Sequence, residues 1–311
     1  MGIIRGICIS ERRGTRKMEV PEAKLKINWG IEGDAHGGNW HRQVSLLSLE
    51  KIEEFRKKGA DVDFGAFGEN LIVEGFDFSS LPVGSRFRIG DAELEMTQIG
   101  KECHSHCAIY QTMGDCIMPR EGVFAEVRKP GCIRVNDEVI LLPEDPDRPL
   151  TAAVVTLSDK GAAGQREDKS GPVIVEELQK AGYKIIETLL LPDDMETIKD
   201  QLIRLSDQRQ VNLILTTGGT GFSERDCTPE ATLAVATRNA PGIAEAIRAG
   251  SMEITRRAML SREASVIRHK TLIVNLPGSP KAVKECLDIV LDQLDHGIRI
   301  LTGRDGECAR K

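Results

Sequence analysis

The residues best equipped for chemistry in this chain stand directly after short apolar runs. Thr216-Thr217-Gly218-Gly219-Thr220-Gly221 follows the run 211–215. Glycines without a Cβ let backbone N–H groups converge on an anion, and the threonine hydroxyls add donors. Neither a Gly-Lys-Ser/Thr ending nor a G-x-G-x-x-G spacing is present, so this is not a Walker loop or a dinucleotide fingerprint. Ser223-Glu224-Arg225-Asp226-Cys227-Thr228-Pro229-Glu230 comes next, with Thr228 expected as the N-cap of a helix and Pro229 in its first turn. Asp226 is then either a turn residue or a carboxylate beside a phosphate cradle, where a Mg²⁺ ligand belongs. Asp193-Asp194 forms a second acidic site after the run 184–191. Ser158-Asp159-Lys160-Gly161 and Asn275-Leu276-Pro277-Gly278-Ser279-Pro280 follow two further runs, and the second opens a helix whose first N–H groups suit a phosphate. Asp193 and Asp226, as metal ligands beside a glycine nest, fit a Mg²⁺-dependent nucleotidyl transfer in which positioning does most of the work.

A second constellation lies earlier. Lys101-Glu102-Cys103-His104-Ser105-His106-Cys107 is the densest set of soft ligands, with Cys116 and Cys132 beyond it. Cys and His are zinc ligands, but the C-x₃-C spacing offers no paired C-x₂-C knuckle. A zinc site, a group of inert buried thiols and a reactive thiolate all remain open, the last favoured by Lys101, His104 and His106. The basic stretch Arg12, Arg13, Arg16, Lys17, Lys24 and Lys26 reads as a solvated loop rather than an anion-binding arm.

These residues need two scaffolds. The chain of 311 residues suits two domains of roughly 150, and the segment 143–149, with Pro143, Pro146 and Pro149, can continue neither a helix nor a central strand. The expected division is 1–143, a linker at 144–150, and 151–311. Before the seam, short apolar runs at Arg86–Ile89, 93–97 and 139–142 alternate with glycine turns, with one helix over 49–58, which predicts a mostly-β, barrel-like domain. After it, strands at 152–157, Lys184–Leu191, 211–216 and Thr271–Leu276 alternate with helices over 173–181, 195–206, 230–238, 243–260 and 282–301. That rhythm predicts a three-layer α/β domain with a mainly parallel sheet, whose ligands sit at the carboxyl ends of the strands. With 42 basic against 48 acidic residues and a formal charge of −6, neither a nucleic-acid coat nor a polybasic membrane binder is expected. Without a leader or an 18-residue apolar run, the expected location is the cytoplasm, where the eight cysteines are thiols or ligands rather than disulfides.

At this point two resemblances become specific. The Ser-Asp start, the Pro192-Asp193-Asp194 turn, TTGGTGFSERDCTPEAT and NLPGSPKAVKECL, in order over 151–311, resemble the molybdopterin adenylyltransferase family. That resemblance implies that ATP, Mg²⁺ and molybdopterin meet here to give adenylylated molybdopterin and pyrophosphate. It implies that Asp193 and Asp226 are the essential carboxylates. The pterin and phosphate pocket is then formed by Ser158, Asp159, Thr216, Gly218, Gly219, Thr220, Gly221, Pro277, Gly278 and Ser279. Related enzymes are commonly trimers, so a homo-oligomer is expected. Over 1–143, Gly30-Ile31-Glu32-Gly33-Asp34-Ala35-His36, Arg42-Gln43-Val44-Ser45-Leu46-Leu47, Phe67-Gly68-Glu69-Asn70-Leu71, the cysteine cluster and Gly122-Val123-Phe124-Ala125 look like a MOSC domain. This implies that Cys107, with Cys103 as second choice, handles sulfur or ligates molybdenum, and that His36 and Arg42 bind cofactor phosphate. Together the two halves point to molybdenum cofactor biosynthesis, with molybdate-insertion and sulfur-donor proteins as expected partners. The alternatives for the first half are a storage and delivery module without chemistry, or a molybdenum-dependent reductase.

Overall fold

The computed structural model describes residues 1–101 and 108–305. The chain forms two compact units, Met1–Asp145 and Pro146–Lys311, and the division falls inside the proline-rich segment.

In the first unit seven strands close into a barrel. The ring runs Gly2–Ile9, Leu71–Glu74, Val44–Ser48, Val123–Lys129, Ala92–Ile99, Arg86–Ile89 and Glu138–Leu141, then returns to Gly2–Ile9. Closure leaves no exposed edge in the ring. Ala92–Ile99 alternates buried and half-buried positions, as a strand with one face on the core must. Ile4, Leu46, Phe87, Leu94 and Val123 fill the interior, with Phe76, Phe78 and Phe87 meeting at centroid distances of 5.4–5.6 Å. The helix Leu49–Lys57 packs Ile52 and Phe55 against Leu47 and Ile72 outside the barrel. The first strand was not among those expected from the sequence. Its backbone passes so close to Phe64 that a Cβ on Gly6 would lie 2.8 Å from the ring, and that glycine interrupts the apolar run that would have marked it.

The second unit is a three-layer α/β fold. Its sheet order is Lys184–Leu191, Thr151–Leu157, Leu213–Thr217, Thr271–Leu276, Ser265–Arg268 and Arg238–Asn239, with the first four strands parallel and the last two antiparallel. Successive residues serve opposite faces. Ala152 and Val154 pack with Ile174, Ile247 and Leu287, whereas Ala153 and Val155 pack with Ile198, Leu202 and Ala231. Three of the expected helical spans are interrupted or end early. The helix after Asp194 is α-helical over Met195–Ile203 and then passes into a π turn, Arg204–Gln208. The helix expected over 230–238 is Thr228–Ala234, because Arg238–Asn239 pairs with Ser265–Arg268 as an edge strand. The span 243–260 divides into Pro241–Ile254 and the 3₁₀ turn Arg256–Leu260, because Thr255 is extended and caps the second piece.

Candidate functional site

Parallel strands deliver the C-terminal motifs to one edge of the sheet. Leu157, Leu191, Thr217 and Leu276 end the four parallel strands, and the loops that follow meet there. The glycine turn is fixed by contacts that tolerate no side chain. Gly218 has φ +99° and a Cβ on it would meet the Leu157 carbonyl at 2.3 Å, while a Cβ on Gly278 would reach the Gly218 Cα at 3.4 Å. Gly219 has φ +64°, and its Cβ would lie 2.3 Å from Thr228 Oγ1 and 3.0 Å from Asp193 Oδ1. Left-handed backbone of this kind favours glycine.

Thr228 is not the N-cap expected from the sequence. Cys227 holds that position, and the fully buried Thr228 instead donates its hydroxyl to the Gly218 carbonyl at 3.0 Å. Thr216 and Thr217 are also buried. Asn275 donates to Thr216 Oγ1 at 2.9 Å, and Thr217 donates to the Pro277 carbonyl at 2.7 Å, so both hydroxyls tie the glycine turn to the neighbouring strand. Arg262 braces the far side, donating from its backbone to Thr220 at 3.0 Å and from its guanidinium to the Gly221 carbonyl at 2.6 Å and to Glu230. The sequence did not single out Arg262, because its partners Thr220, Gly221 and Glu230 stand in a distant stretch of the chain.

The carboxylates form a linked set. Asp193 and Asp159 exchange hydrogen bonds, each backbone N–H donating to the other's carboxylate at 3.0 Å. Asp159 also receives the Arg225 guanidinium at 2.9 and 3.0 Å, which holds its pKa below the ordinary range. Asp193 goes the other way. Burial raises its pKa, and the carboxylates of Asp159 and Asp226 push it further, with Arg225 opposing. Its second oxygen, Oδ1, is buried without a hydrogen-bond partner. Asp226 turns its carboxylate back to the Ser223 N–H at 3.0 Å, close to where a Cβ on Gly221 would fall, 2.8 Å from Oδ2. The neighbour Asp194 is the N-cap of the helix Met195–Ile203, accepting from Thr197 N at 2.9 Å. Ser158 caps the turn after its strand by accepting from Gly161 N at 3.1 Å, and exposed Ser279 stands at the N-terminus of the helix Pro280–Thr302. Asp168, one residue before the N-cap Lys169, accepts from Ser170 N and Gly171 N at the start of the helix Ser170–Lys180, and the Ser170 hydroxyl donates to the Gly278 carbonyl at 2.8 Å. Beside Asp226 an open depression of about 520 Å³ is lined by Met195, the largely exposed Phe222, Cys227 and Arg262.

In the N-terminal unit, Cys103 and Cys107, the leading candidates there, lie outside the described residues. His36 and Arg42 are both touched by Trp40. Its indole N–H donates to the His36 carbonyl at 3.1 Å, and the Arg42 guanidinium lies 4.7 Å over its ring and 5.6 Å from the Phe124 ring. The basic stretch is not a solvated loop throughout. Lys17 is buried, with Nζ 2.6 Å from both oxygens of Asp34, while Arg16 pairs with exposed Asp63 at 2.6 Å and Arg13 donates to the Ala35 carbonyl at 3.1 Å. Sequence reasoning missed this pair. Asp34 and Asn70 stood inside the quoted motifs, but nothing local marked Lys17 as their partner. Among the described residues, no group of three or more His, Cys, Asp or Glu side chains is close enough to hold a metal ion, and no helix is long and apolar enough to cross a membrane.

Comparison with known proteins agrees with both halves. Residues 153–296 match the family described as a probable molybdopterin binding domain, and residues 32–140 match the MOSC domain. The molybdopterin adenylyltransferase of Escherichia coli K12 is 44% identical over 155 residues, covering 48% of this chain and 80% of that protein. The Helicobacter pylori 26695 molybdopterin adenylyltransferase is 38% identical over 152 residues, covering 48% and 86%. The Drosophila melanogaster molybdenum cofactor synthesis protein cinnamon is 37% identical over 164 residues, 52% of this chain and 27% of that protein. The crystal structure of the Thermus thermophilus molybdopterin biosynthesis enzyme MoaB superposes with a TM-score of 0.48 at 41% identity, covering 50% of this chain and 97% of that one. Through its second unit the chain belongs to the molybdopterin adenylyltransferase family, and its first unit carries a MOSC domain.

Proposed function

We propose that the C-terminal unit adenylylates molybdopterin with ATP and Mg²⁺, and that the N-terminal unit receives the mature cofactor and hands it on through Cys107. The observation that carries the first half is the glycine turn packed against Asp193, with one carboxylate oxygen buried and unpartnered. Such an oxygen costs free energy unless a cation or donor reaches it. The donor set fits Mg²⁺, which keeps several waters and takes one or two protein carboxylates together with substrate phosphates. Asp193 and Asp226 are those carboxylates. When bound, the metal neutralises triphosphate charge. The chain's own part is positional. The left-handed glycines turn backbone N–H groups toward the phosphates, Thr228 and Arg262 hold that turn rigid, and Arg225 is a guanidinium close enough to share its charge with an arriving phosphate.

In the reaction a phosphate oxygen of molybdopterin attacks the α-phosphorus of ATP. A new phosphoanhydride forms, the α–β bond breaks, and pyrophosphate leaves with its electron pair. The exposed ring of Phe222 beside Asp226 offers a stacking face for one of the two flat ring systems. Purified protein incubated with molybdopterin and Mg-ATP should release pyrophosphate and accumulate the adenylylated pterin by mass. Release that does not depend on added molybdopterin would overturn the assignment.

For the N-terminal unit, Trp40 links His36 to Arg42, two side chains able to hold a phosphate. Molybdopterin is also the substrate of the second unit, so one chain would make an intermediate and hold a later form of the same cofactor. Mass analysis of cofactor that co-purifies with the chain, before and after thiol alkylation, tests this half. Cofactor retained unchanged with every thiol blocked would refute the cysteine's role.

A further inference from the structure

The N-terminal unit buries a charge pair that the barrel does not need for its core. Lys17 and Asp34 have side chains only 2% and 0% exposed. Asp34 accepts two contacts from Lys17 Nζ at 2.6 Å, Ser10 N at 3.0 Å, Ser10 Oγ at 3.2 Å and Asn70 Nδ2 at 3.0 Å. Asn70 is itself fixed, with its carbonyl oxygen accepting from Ser45 N at 3.1 Å and its amide donating to the Cys8 carbonyl at 2.9 Å. A buried ion pair is a weak source of stability, since desolvation offsets most of the attraction. Its geometry suggests another use. Lys17 Nζ also lies 3.4 Å from His36 Nδ1, while Asp34 Oδ1 is 3.8 Å from that nitrogen, beyond hydrogen-bond reach.

An ammonium has donors and no lone pair. Nδ1 facing it must therefore accept, because an Nδ1–H would set two donors against each other. A neutral imidazole carries one N–H, so the proton belongs on Nε2, on the opposite side of a ring that is 38% exposed. The loop is pinned on both sides of the histidine, by Ala35 N donating to the Ser10 carbonyl at 2.7 Å and by Trp40 donating to the His36 carbonyl at 3.1 Å.

We propose that the Lys17–Asp34 pair is a positioning device that holds His36 as its neutral Nε2–H tautomer and so presents one fixed donor to a phosphate oxyanion. This rests on the reading of the N-terminal unit as the half that holds the phosphate-bearing cofactor. Burial first, and then the facing cations Lys17, Lys101 and Arg13, hold the His36 pKa below that of a free imidazole, and Asp34 opposes them. The anion is either the monoester group of the cofactor or a free phosphate, and the experiment separates the two.

The test is long-range ¹H–¹⁵N correlation on the full chain labelled at histidine nitrogens, with His36→Gln identifying the resonance. Wild type should show a neutral Nε2–H ring that stays uncharged below the pH range of a free imidazole. The charge-neutral pair Lys17→Met with Asp34→Asn should let the tautomers mix and raise the titration. A wild-type Nδ1–H tautomer, or a ring already charged at mildly acidic pH, overturns the positioning claim without any variant having to fold. A folded double variant with an unchanged tautomer does so too. Adding inorganic phosphate and, separately, a phosphomonoester such as AMP to wild type should move the Nε2 resonance, the stronger of the two naming the source. If neither moves it while the tautomer is as stated, the oxyanion assignment fails, and with it the cofactor reading of this unit.

Discussion

Gly219→Ala asks whether the glycine turn works through its shape. Two costs can be worked from the structure. The first is backbone, since φ is +64° and a left-handed non-glycine residue costs about 1–2 kcal/mol. The second is steric, since the new Cβ would stand 2.3 Å from Thr228 Oγ1, a residue that is fully buried and cannot swing out to solvent. Moving it breaks the hydroxyl's bond to the Gly218 carbonyl, worth about 1 kcal/mol net. The same methyl lies 3.0 Å from Asp193 Oδ1 and so crowds the oxygen proposed to meet the metal. A loss of about 2–4 kcal/mol, if it falls on the transition state, lowers turnover roughly 30- to 1,000-fold. Gly182→Ala is the control. Its φ is +87° with nothing within 4 Å, so it bears the backbone cost alone, in the turn after the helix Ser170–Lys180. Pyrophosphate release at saturating molybdopterin and Mg-ATP, read beside thermal unfolding, separates the two effects. Both variants should lose stability and only Gly219→Ala should lose turnover. Turnover of Gly219→Ala within about threefold of wild type would refute the claim that this backbone positions the phosphates.

Asp193→Asn and, separately, Asp226→Asn should each lower turnover by about 10² or more while molybdopterin still binds, as titrated by fluorescence; near-normal pyrophosphate release from both would return Asp226 to the role of a turn residue. Asp193→Asn should also gain stability at neutral pH. A carboxyl whose pKa is raised by folding favours the fold while protonated and loses that contribution as pH rises through the folded value, and the amide never ionises. The same sign holds for Glu69, which is buried and accepts from Gly65 N and Phe67 N at 2.8 and 2.9 Å. Its pKa is pushed by burial from 4.5 to about 7, so it should withdraw about 3 kcal/mol from the N-terminal unit between those pH values. Denaturant unfolding at pH 5 and pH 8 measures this, and an identical pH slope in Glu69→Gln would rule the residue out. Cys107→Ser should abolish sulfur or molybdenum handling and leave adenylylation near normal; equal loss of both would argue for one shared site. Cleavage within 143–149 should yield two soluble folded pieces, and aggregation of either alone would count against independent domains.

The fold was legible wherever one physical signal ruled a segment. Arg86–Ile89, Lys184–Leu191 and Thr271–Leu276 have the bounds that their apolar runs suggest, since each is closed off by turn residues or a change of polarity. The parallel order of the second sheet followed from the alternation of strand and helix, and with it the edge where Asp193, the glycine turn and Ser279 gather. Barrel closure was not legible, because it depends on Glu138–Leu141 meeting Gly2–Ile9 from the far end of the unit. Helix ends fared worse for a related reason. Arg238 is polar enough to continue a helix, and what stops it is pairing with Ile267, a partner that no window around residue 238 contains. Lys17 is the clearest case. In sequence it is one of a run of exposed-looking cations, and only the fold reveals that its carboxylate lies in another motif.

The two units handle buried charge in opposite ways. Around Asp34 every oxygen is answered, by Lys17, Ser10 and Asn70, and burial, which alone would raise its pKa, is outweighed so that the net shift is downward. Such a set is complete without a ligand, and what it can offer a ligand is the orientation of its neighbour His36. Around Asp193 the set is incomplete. One oxygen is held by the Asp159 N–H, the other by nothing, and two more carboxylates raise its pKa with a single exposed guanidinium among them. A group left in that condition is stabilised by anything that brings positive charge to it, and protonation competes with that charge for the same oxygen. That oxygen lies at the junction of the glycine turn and the Pro192-Asp193-Asp194 loop, 3.0 Å from where a Cβ on Gly219 would stand. In the proposed reaction a cation chelated by phosphates would supply the charge that Asp193 lacks and carry its anion to the glycine turn.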